Sequence, residues 1–510
     1  MAQQLQNITV QAPGFAGINS QDSPVSIDQS FAATASNCII DEYGRIGARK
    51  GYSEQSSNVS FATDSRGVEA VFESLDASGD KRIFSAVDNK IYEGLDFSAT
   101  DITPAGATIT ANNWKIVSFN NHTYFYQREH EPLIYTDSSG SGVLARHSLF
   151  ANQTTPPQAN EVIGAYGRLW AADVSGNTKT VYWSDTLQGH KWSGGTAGSL
   201  DLTTVFPTGH DEVVALAAHN GFLIIFCKRS IIIYSGAESP ATMQLHDTVE
   251  GVGCIARDSV QHTGTDIIFL SEDGVRSFSR TIQEKSMPMR DISNNVRTEL
   301  TQLVRQQTNP IKSIYSADEA FYLLSLQDSQ TVYCFDMRGA LPDGANRVTT
   351  WAGVNPRSIA LLQDGSIYFG REDGIFKYEG YQDNGNAYEM IYYSNPMNFG
   401  NSTNLKFLKK FNITVIGNVA SPTTLVWGYD YDGAYIKKAF NTQLSNTPIS
   451  EFNVSEFNIG KFSTGVDIQR PSINTSGSGT VVTIGIESTI NGAPYSIQQI
   501  DVHALLGRLI

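Results

Sequence analysis

Glu212-Val213-Val214-Ala215-Leu216, the turn His219-Asn220-Gly221, Phe222-Leu223-Ile224-Ile225-Phe226 and Ile232-Ile233-Tyr234-Ser235-Gly236 follow one another in the middle of the chain. The first run alternates, the second is continuously apolar, and the third ends on an aromatic residue and a turn. Alternation marks a strand with one wet face, and a short continuous apolar run marks a strand covered on both faces. Asn-Gly between such runs is a hairpin signal. The stretch therefore predicts a small antiparallel sheet with more apolar surface than it can bury alone.

The same grammar recurs on both sides. The aromatic-terminated run returns as Lys90-Ile91-Tyr92-Glu93-Gly94, Leu133-Ile134-Tyr135-Thr136-Asp137, Thr180-Val181-Tyr182-Trp183-Ser184 and Phe376-Lys377-Tyr378-Glu379-Gly380, with weaker copies at Phe278 and Phe335. The spacings are 43, 47, 52, 44, 57 and 43 residues, averaging about 48, close to the period of propeller blades. Alternating runs such as Val68-Glu69-Ala70-Val71-Phe72 open the units, and turns such as Gln363-Asp364-Gly365 and Arg371-Glu372-Asp373-Gly374 divide them. Hairpins of this kind also occur in sandwich arrays and β-solenoids. The near-constant period favours an all-β β-propeller of about seven blade-like repeats over residues 66–392. The long spacing of 57 contains Asp291 to Val304, whose apolar positions 292, 296, 300, 303 and 304 share one helical face. This predicts one inserted helix near 291–305, capped by Asp291 or Ser293.

Residues 1–65 are rich in Gln, Ser, Asn, Ala and Gly and read as an extended N-terminal arm. It carries one hairpin, Cys38-Ile39-Ile40 and Arg45-Ile46-Gly47 around Asp41-Glu42-Tyr43-Gly44. After Tyr393 the period stops. Phe411 to Ile416, Thr424 to Trp427 and Thr480 to Ile486 are longer alternating runs, which predict a C-terminal β-sandwich-like domain over 393–510. The apolar tail Ala504 to Ile510 reads as an interface element.

At 510 residues the chain is long enough for several modules, and 40% of it is hydrophobic. Charged residues make up only 17%, and the net charge is −15. That balance disfavours a protein that grips nucleic acid by neutralising phosphates. Met1 to Val10 has neither the basic nor the apolar region of a signal peptide, and no apolar run is long enough to span a bilayer, so no membrane insertion is expected. Cys38, Cys227, Cys254 and Cys334 are far apart, and most lie in apolar runs, as small buried hydrophobes do.

The common catalytic motifs, namely the nucleophile elbow, the phosphate-binding loop, the paired-His metal helix and Cys-x-x-Cys, do not occur. Gln127-Arg128-Glu129-His130-Glu131 reads as a polar blade loop. Asp430-Tyr431-Asp432-Gly433 lacks the later ligands of a calcium loop and reads as a hairpin turn. Ser271-Glu272-Asp273-Gly274-Val275-Arg276-Ser277-Phe278 approaches the Asp box of sugar-hydrolysing propellers, but it places Asp directly before Gly and has no Trp. No catalytic, cofactor-binding or metal-ligating residue is assigned, no cofactor is expected, and the chain is not expected to be an enzyme.

Three stretches together resemble virion structural proteins of short-tailed bacteriophages. They are Ala12-Pro13-Gly14-Phe15-Ala16-Gly17-Ile18-Asn19-Ser20-Gln21-Asp22-Ser23-Pro24; the run Ala35 to Tyr52, with its Gly44-Arg45 and Arg49-Lys50-Gly51; and Gly253 to Ser259 with Ile267 to Val275. The resemblance implies a tail nozzle or hub (tail tubular) subunit of a podovirus. Such a subunit is expected to form a ring, a homohexamer, below the portal-adaptor ring and beside tail fibres or spikes. It lines the DNA exit channel, helps retain and release the genome, and allows double-stranded DNA to pass without specific binding. Localisation would be the virion tail, after assembly in the host bacterial cytoplasm. In such a ring the acidity would keep phosphates from adhering. The alternative is a receptor-binding or sialidase-like, sugar-processing propeller on a virion or cell surface. In the ring reading, the arm, the helix and the tail are expected at contacts with neighbouring subunits.

Overall fold

The computed structural model describes residues 5–24, 26–55, 67–75, 79, 81–94, 99–109, 113–136, 142–207, 209–284, 291–401, 403–417, 422–431, 433, 435–441 and 467–509. The chain is all-β and its central part is a β-propeller. Blade 1 comprises strands Val68–Leu75, Lys81–Val87, Lys90–Glu93 and Thr100–Asp101. Blade 2 comprises Lys115–Phe119, His122–Tyr126, Leu133–Thr136 and Val143–Arg146. Blade 3 comprises Ala159–Ala165, Arg168–Val174, Thr180–Trp183 and Gly198–Asp201. Blade 4 comprises Val213–His219, Phe222–Cys227, Ser230–Ser235 and Gln244–Glu250. Blade 5 runs from Lys312–Ser316 through Phe321–Leu326 and Thr331–Ala340 to Asn346–Ala352, and blade 6 holds Ser358–Leu361, Ile367–Gly370 and Ile375–Tyr378.

The count of about seven is corrected to six four-stranded blades. The unit that ends near Phe278 yields only a three-stranded sheet, Gln261–His262, Ile267–Ser271 and Gly274–Ser277. The chain then turns into helix α1, Phe278–Glu284, where a fourth strand would begin. The sheet packs on blade 4 through Phe226, Phe269 and Phe278. The expected single helix over 291–305 is also shorter than predicted. A 3-10 turn, Asn294–Val296, leads into α2, Arg297–Arg305. Asp291 does not cap it, because its carboxylate accepts a hydrogen bond from Arg297 at 2.6 Å and faces Arg276. The apolar face is as read, but Ile292, Val296, Leu300 and Val304 are buried in the chain's own core.

The largest departure concerns the N-terminal residues, which are woven strands where an extended arm was expected. Leu5–Gln11 pairs antiparallel with Gln499–Leu505. Gly17–Ile18 lies parallel between Phe31–Ser36 and the last strand of blade 5. Cys38–Ile40 and Ile46–Ala48 form the hairpin, and Tyr52–Glu54 becomes the outer strand of blade 6, closing the ring. Residues 56–65 of the expected arm lie outside the described residues. Through Gly17–Ile18 and Phe31–Ser36, blade 5 continues without a break into Tyr388–Ser394, Val482–Ile490, Pro422–Tyr429 and Ile436–Asn441, giving one ten-stranded sheet. The expected boundary at 392/393 therefore falls inside the strand Tyr388–Ser394.

An eight-stranded sheet built on Asn404–Gly417 and Tyr495–Leu509 packs against this one across Phe411, Ile413, Trp427, Ile486 and Ile497. The tail expected at an interface is part of that sheet. Ala504 is fully buried, and its strand pairs with both Asn404–Gly417 and Leu5–Gln11. Removing the last residues would cut a central strand and so damage the monomer itself. The junction is pinned by Arg49, which is fully buried. Its guanidinium donates to both Asp383 oxygens at 2.8 and 2.7 Å and to Asn37 Oδ1 at 3.0 Å, and lies 4.2 Å from the Tyr388 ring centre.

The parallel insertion is tight at Gly17. It sits at φ +80°, and a Cβ there would lie 2.5 Å from the Val348 carbonyl oxygen and 2.6 Å from its nitrogen. Gly385 has nearly the same φ, +81°, with open space around it. Gly385→Ala is expected to cost about 1–2 kcal/mol for the left-handed backbone alone. Gly17→Ala should cost about 2 kcal/mol more, because backbone atoms must move. Equal shifts in the thermal midpoints of the two variants would refute the difference.

Candidate functional site

The innermost strands of the blades begin around the axis, and side chains leaving them there converge. On that face lies a cavity of about 570 Å³. Its rim carries Arg128, Asp173, Glu212, Lys228, Glu272 and Arg305, and its wall includes the aliphatic side chains of Val213, Val214, Ile255 and Ile311. Most rim charges are paired: Arg128 with Asp173 at 3.0 Å, and Lys228 with Glu212. A second cavity of about 170 Å³ is bordered by Glu69, Lys115, Gln261, Lys312 and Ser358. Asp258 borders both cavities.

Between them stands a buried ionic cluster. Arg257 Nε donates to Asp258 Oδ1 at 2.8 Å, and one terminal nitrogen donates to Asn160 Oδ1 at 3.0 Å and to the Asn160 carbonyl. The other donates to Asn113 Oδ1 at 2.8 Å, the Trp114 carbonyl at 2.8 Å and Asp258 Oδ2 at 2.9 Å. Lys312 Nζ reaches Asp258 at 2.6 Å and Asn113 at 2.9 Å, and Lys115 pairs with Glu161 at 3.0 Å. The cluster thus joins the entry to blade 2, the inner strands of blades 3 and 5, and the 3-10 turn Arg257–Ser259 that precedes the three-stranded sheet.

The electrostatics follow from burial set against pairing. Burial alone would raise the Asp258 carboxyl, but Arg257 and Lys312 outweigh it and hold the group far below the ordinary carboxylate range. Burial raises Glu161, which Lys115 and Arg257 offset only in part. Burial also lowers Lys312, with Asp258 opposing. Because its folded value is depressed, Asp258 stabilises the fold above about pH 4, where the unfolded group ionises. That contribution is lost only as pH falls through the much lower folded value.

Chemically, the cluster ties blades together. Each nitrogen of the Arg257 guanidinium already donates within the protein, so none is left to grip a sugar carboxylate. Among the described residues no group of three or more His, Cys, Asp or Glu is arranged to hold a metal ion. All four cysteines are buried free thiols, and burial raises each of them. In the loop 127–131, Arg128 reaches the cavity rim. Asp430 accepts hydrogen bonds from the backbone of Thr480 and Val481 and so pins a turn, while Asp432 lies outside the described residues. In the stretch that approaches an Asp box, Ser271 Oγ donates to the Gly274 carbonyl and Arg276 pairs with Asp273. The axial cluster was not read from the sequence. The signals available were the polar pair Asn160-Glu161 opening an inner strand and the adjacent Arg257-Asp258.

No protein-family model matches the sequence, and no curated protein is similar to it. Among solved structures, the chain is similar to the extracellular domain of the putative one component system BT4673 from B. thetaiotaomicron, at 13% identity over 64% of this chain and 40% of that one, with a TM-score of 0.39. It is also similar to YCF48 bound to D1 peptide, at 10% identity over 64% and 98% of the two chains and a TM-score of 0.35. For the WD40 domain of Toxoplasma gondii coronin the values are 10%, 74%, 86% and 0.36. These are distant likenesses of fold alone.

Removing one buried charge leaves its partners uncompensated. Arg257→Met is expected to cost about 3–5 kcal/mol, and Asp258→Asn a similar amount. Because the groups share one network, the double variant should lose less than the sum of the singles. Unfolding midpoints followed by tryptophan fluorescence check this, and strict additivity would show that the pair does not act as a unit.

Proposed function

We propose that the chain is a structural subunit of a bacteriophage tail nozzle or hub ring, without catalytic activity of its own. The observation that carries this reading is the position of the segment bearing the resemblance. Residues 12–24 include Gly17–Ile18, a middle strand of the ten-stranded sheet, and residues 35–52 end on Tyr52, where the closing strand of blade 6 begins. The propeller and the sheets beyond it are thereby coupled by continuous backbone hydrogen bonding, as suits a channel wall that keeps its shape under internal pressure.

In this reading the copies surround the channel, and DNA passes between them rather than along the propeller axis, where the Arg257 cluster lies. At −15 per chain, six copies would present about −90 in total, repelling phosphates so that the genome slides rather than binds. The portal-adaptor ring above and fibres or spikes alongside are the neighbours such a subunit would have.

Light scattering on the purified chain is the direct test. The expected result is a ring-sized oligomer, six copies for a hexamer, or a monomer that assembles when the adjoining ring is supplied. A monomer that ignores such a ring and hydrolyses a fluorogenic sialoside would overturn the reading in favour of a sugar-processing propeller.

A further inference from the structure

Three imidazoles meet at the seam between blades 2 and 3. His122 opens the second strand of blade 2, His147 starts the 3-10 turn His147–Leu149 that follows the blade, and His190 lies in a loop of blade 3. Phe150 sits among them, with its ring centre 5.2 Å from that of His122 and 4.8 Å from that of His190. The His122 and His190 rings are 6.5 Å apart. His147 is 1% exposed, and neither of its ring nitrogens makes a well-formed hydrogen bond, although the His190 backbone acts on the ring; His190 Nδ1 is likewise buried without one, while His122 Nδ1 lies 3.1 Å from Thr136 Oγ1. Phe150 packs on the apolar cluster of Tyr124, Tyr126, Leu169 and Trp192.

This seam docks the linker 147–158 onto the loop 185–193. The Thr154 amide donates to the His190 carbonyl at 3.2 Å, and Thr154 Oγ1 accepts from the Trp192 and Ser193 amides at 2.6 and 3.1 Å. The charged groups around it offer little to a cation. Glu131, on the turn after the second strand of blade 2, is the carboxylate that acts on His147. It already accepts the Ser148 amide at 2.6 Å and lies 3.9 Å from Arg146. Asp185, in the His190 loop, accepts from Thr186 and Thr196. Lys191 adds a positive charge beside His190.

We propose that this seam is an acid-sensitive latch: protonation of the imidazoles around Phe150 undocks the linker 147–158 from the loop 185–193. The latch goes beyond the tail-ring reading and does not depend on it. A buried imidazole without partners is tolerated when neutral and costly when charged. Burial lowers all three groups, His122 and Lys191 add to the effect on His190, and burial with His190 pushes His147 down to about 4.

The direction follows from linkage. Undocked imidazoles titrate near 6.5, so between that value and the lower docked values the open state binds more protons. Docking is therefore at full strength above about pH 6.5 and weakens as pH falls toward 4. The Asp258 carboxylate, held far below the ordinary range by Arg257 and Lys312, stays ionised across this window.

Hydrogen exchange of the full chain at pH 7.5 and 5.0, corrected for the intrinsic pH dependence of exchange, tests the latch. Protection over 147–158 and 185–193 is expected to fall about tenfold, the effect of one unit of depression in a single group. Blade 5 over 312–352, which contains no histidine, should change less than about twofold, because it carries no imidazole to gain a proton between these two pH values. His147→Phe should abolish most of the loss. His190→Gln, at a partly exposed loop position, should reduce it and keeps the test open if the first variant does not fold. Unchanged protection at the seam, an equal loss in blade 5, or a loss that persists in the variants would overturn the proposal.

Discussion

The architecture depends on one unusual pairing, the parallel insertion of Gly17–Ile18 between the outer strand of blade 5 and Phe31–Ser36. A blade normally ends at its fourth strand, leaving an edge of unpaired amides and carbonyls. Here that edge is covered by the chain's own beginning, and the covering strands lead on to the next sheet. The close approach needs a residue without a side chain at position 17, since Val348 occupies the space a Cβ would take. A substitution there presses on a backbone shared by two parts of the molecule.

The axial cluster solves a second problem, that of keeping independent sheets in register around a centre. Apolar seams between blades are adaptable and fix distance better than direction. The guanidinium of Arg257, by contrast, binds groups from the entry to blade 2, blade 3 and its own turn in fixed geometry, and Lys312 brings in blade 5 through Asp258. Buried ion pairs are weak sources of net stability but demanding of arrangement. A centre built this way favours one ring geometry over nearby alternatives. It also leaves Arg257 fully engaged, unlike a substrate-binding arginine.

How much of this was legible in the sequence follows from how far apart the partners lie. The blades were readable because, apart from the closing strand of blade 6, each is a set of hairpins whose strands are close neighbours, as in Phe222–Cys227 against Ser230–Ser235. The helix face was readable too, since Ile292, Val296, Leu300 and Val304 share one side. Its start was not, because Asp291 is drawn to arginines rather than to the backbone. The N-terminal residues misled because Phe15, Ile18 and Phe31 are sparse among polar residues and the elements they join to, through Val348 and Tyr392, are hundreds of positions away. The aromatic at Phe278 resembled a blade signature although it opens a helix. The axial cluster was invisible for the same reason as the weave: Asn113, Asn160, Arg257 and Lys312 meet only after folding.

The closing strand of blade 6 has a consequence for biosynthesis. Tyr52–Glu54 leaves the ribosome long before its partner Ile375–Tyr378 exists, and Leu5–Gln11 must wait for Gln499–Leu505. Strands made early are thus among the last to find their places. Blades 1 to 4 can form from neighbouring hairpins as they emerge, while the N-terminal strands remain unpaired and able to join the wrong edge. Such a chain reaches its final topology only once the strand Tyr495–Leu509 has emerged, and until then its early strands present open edges to other copies.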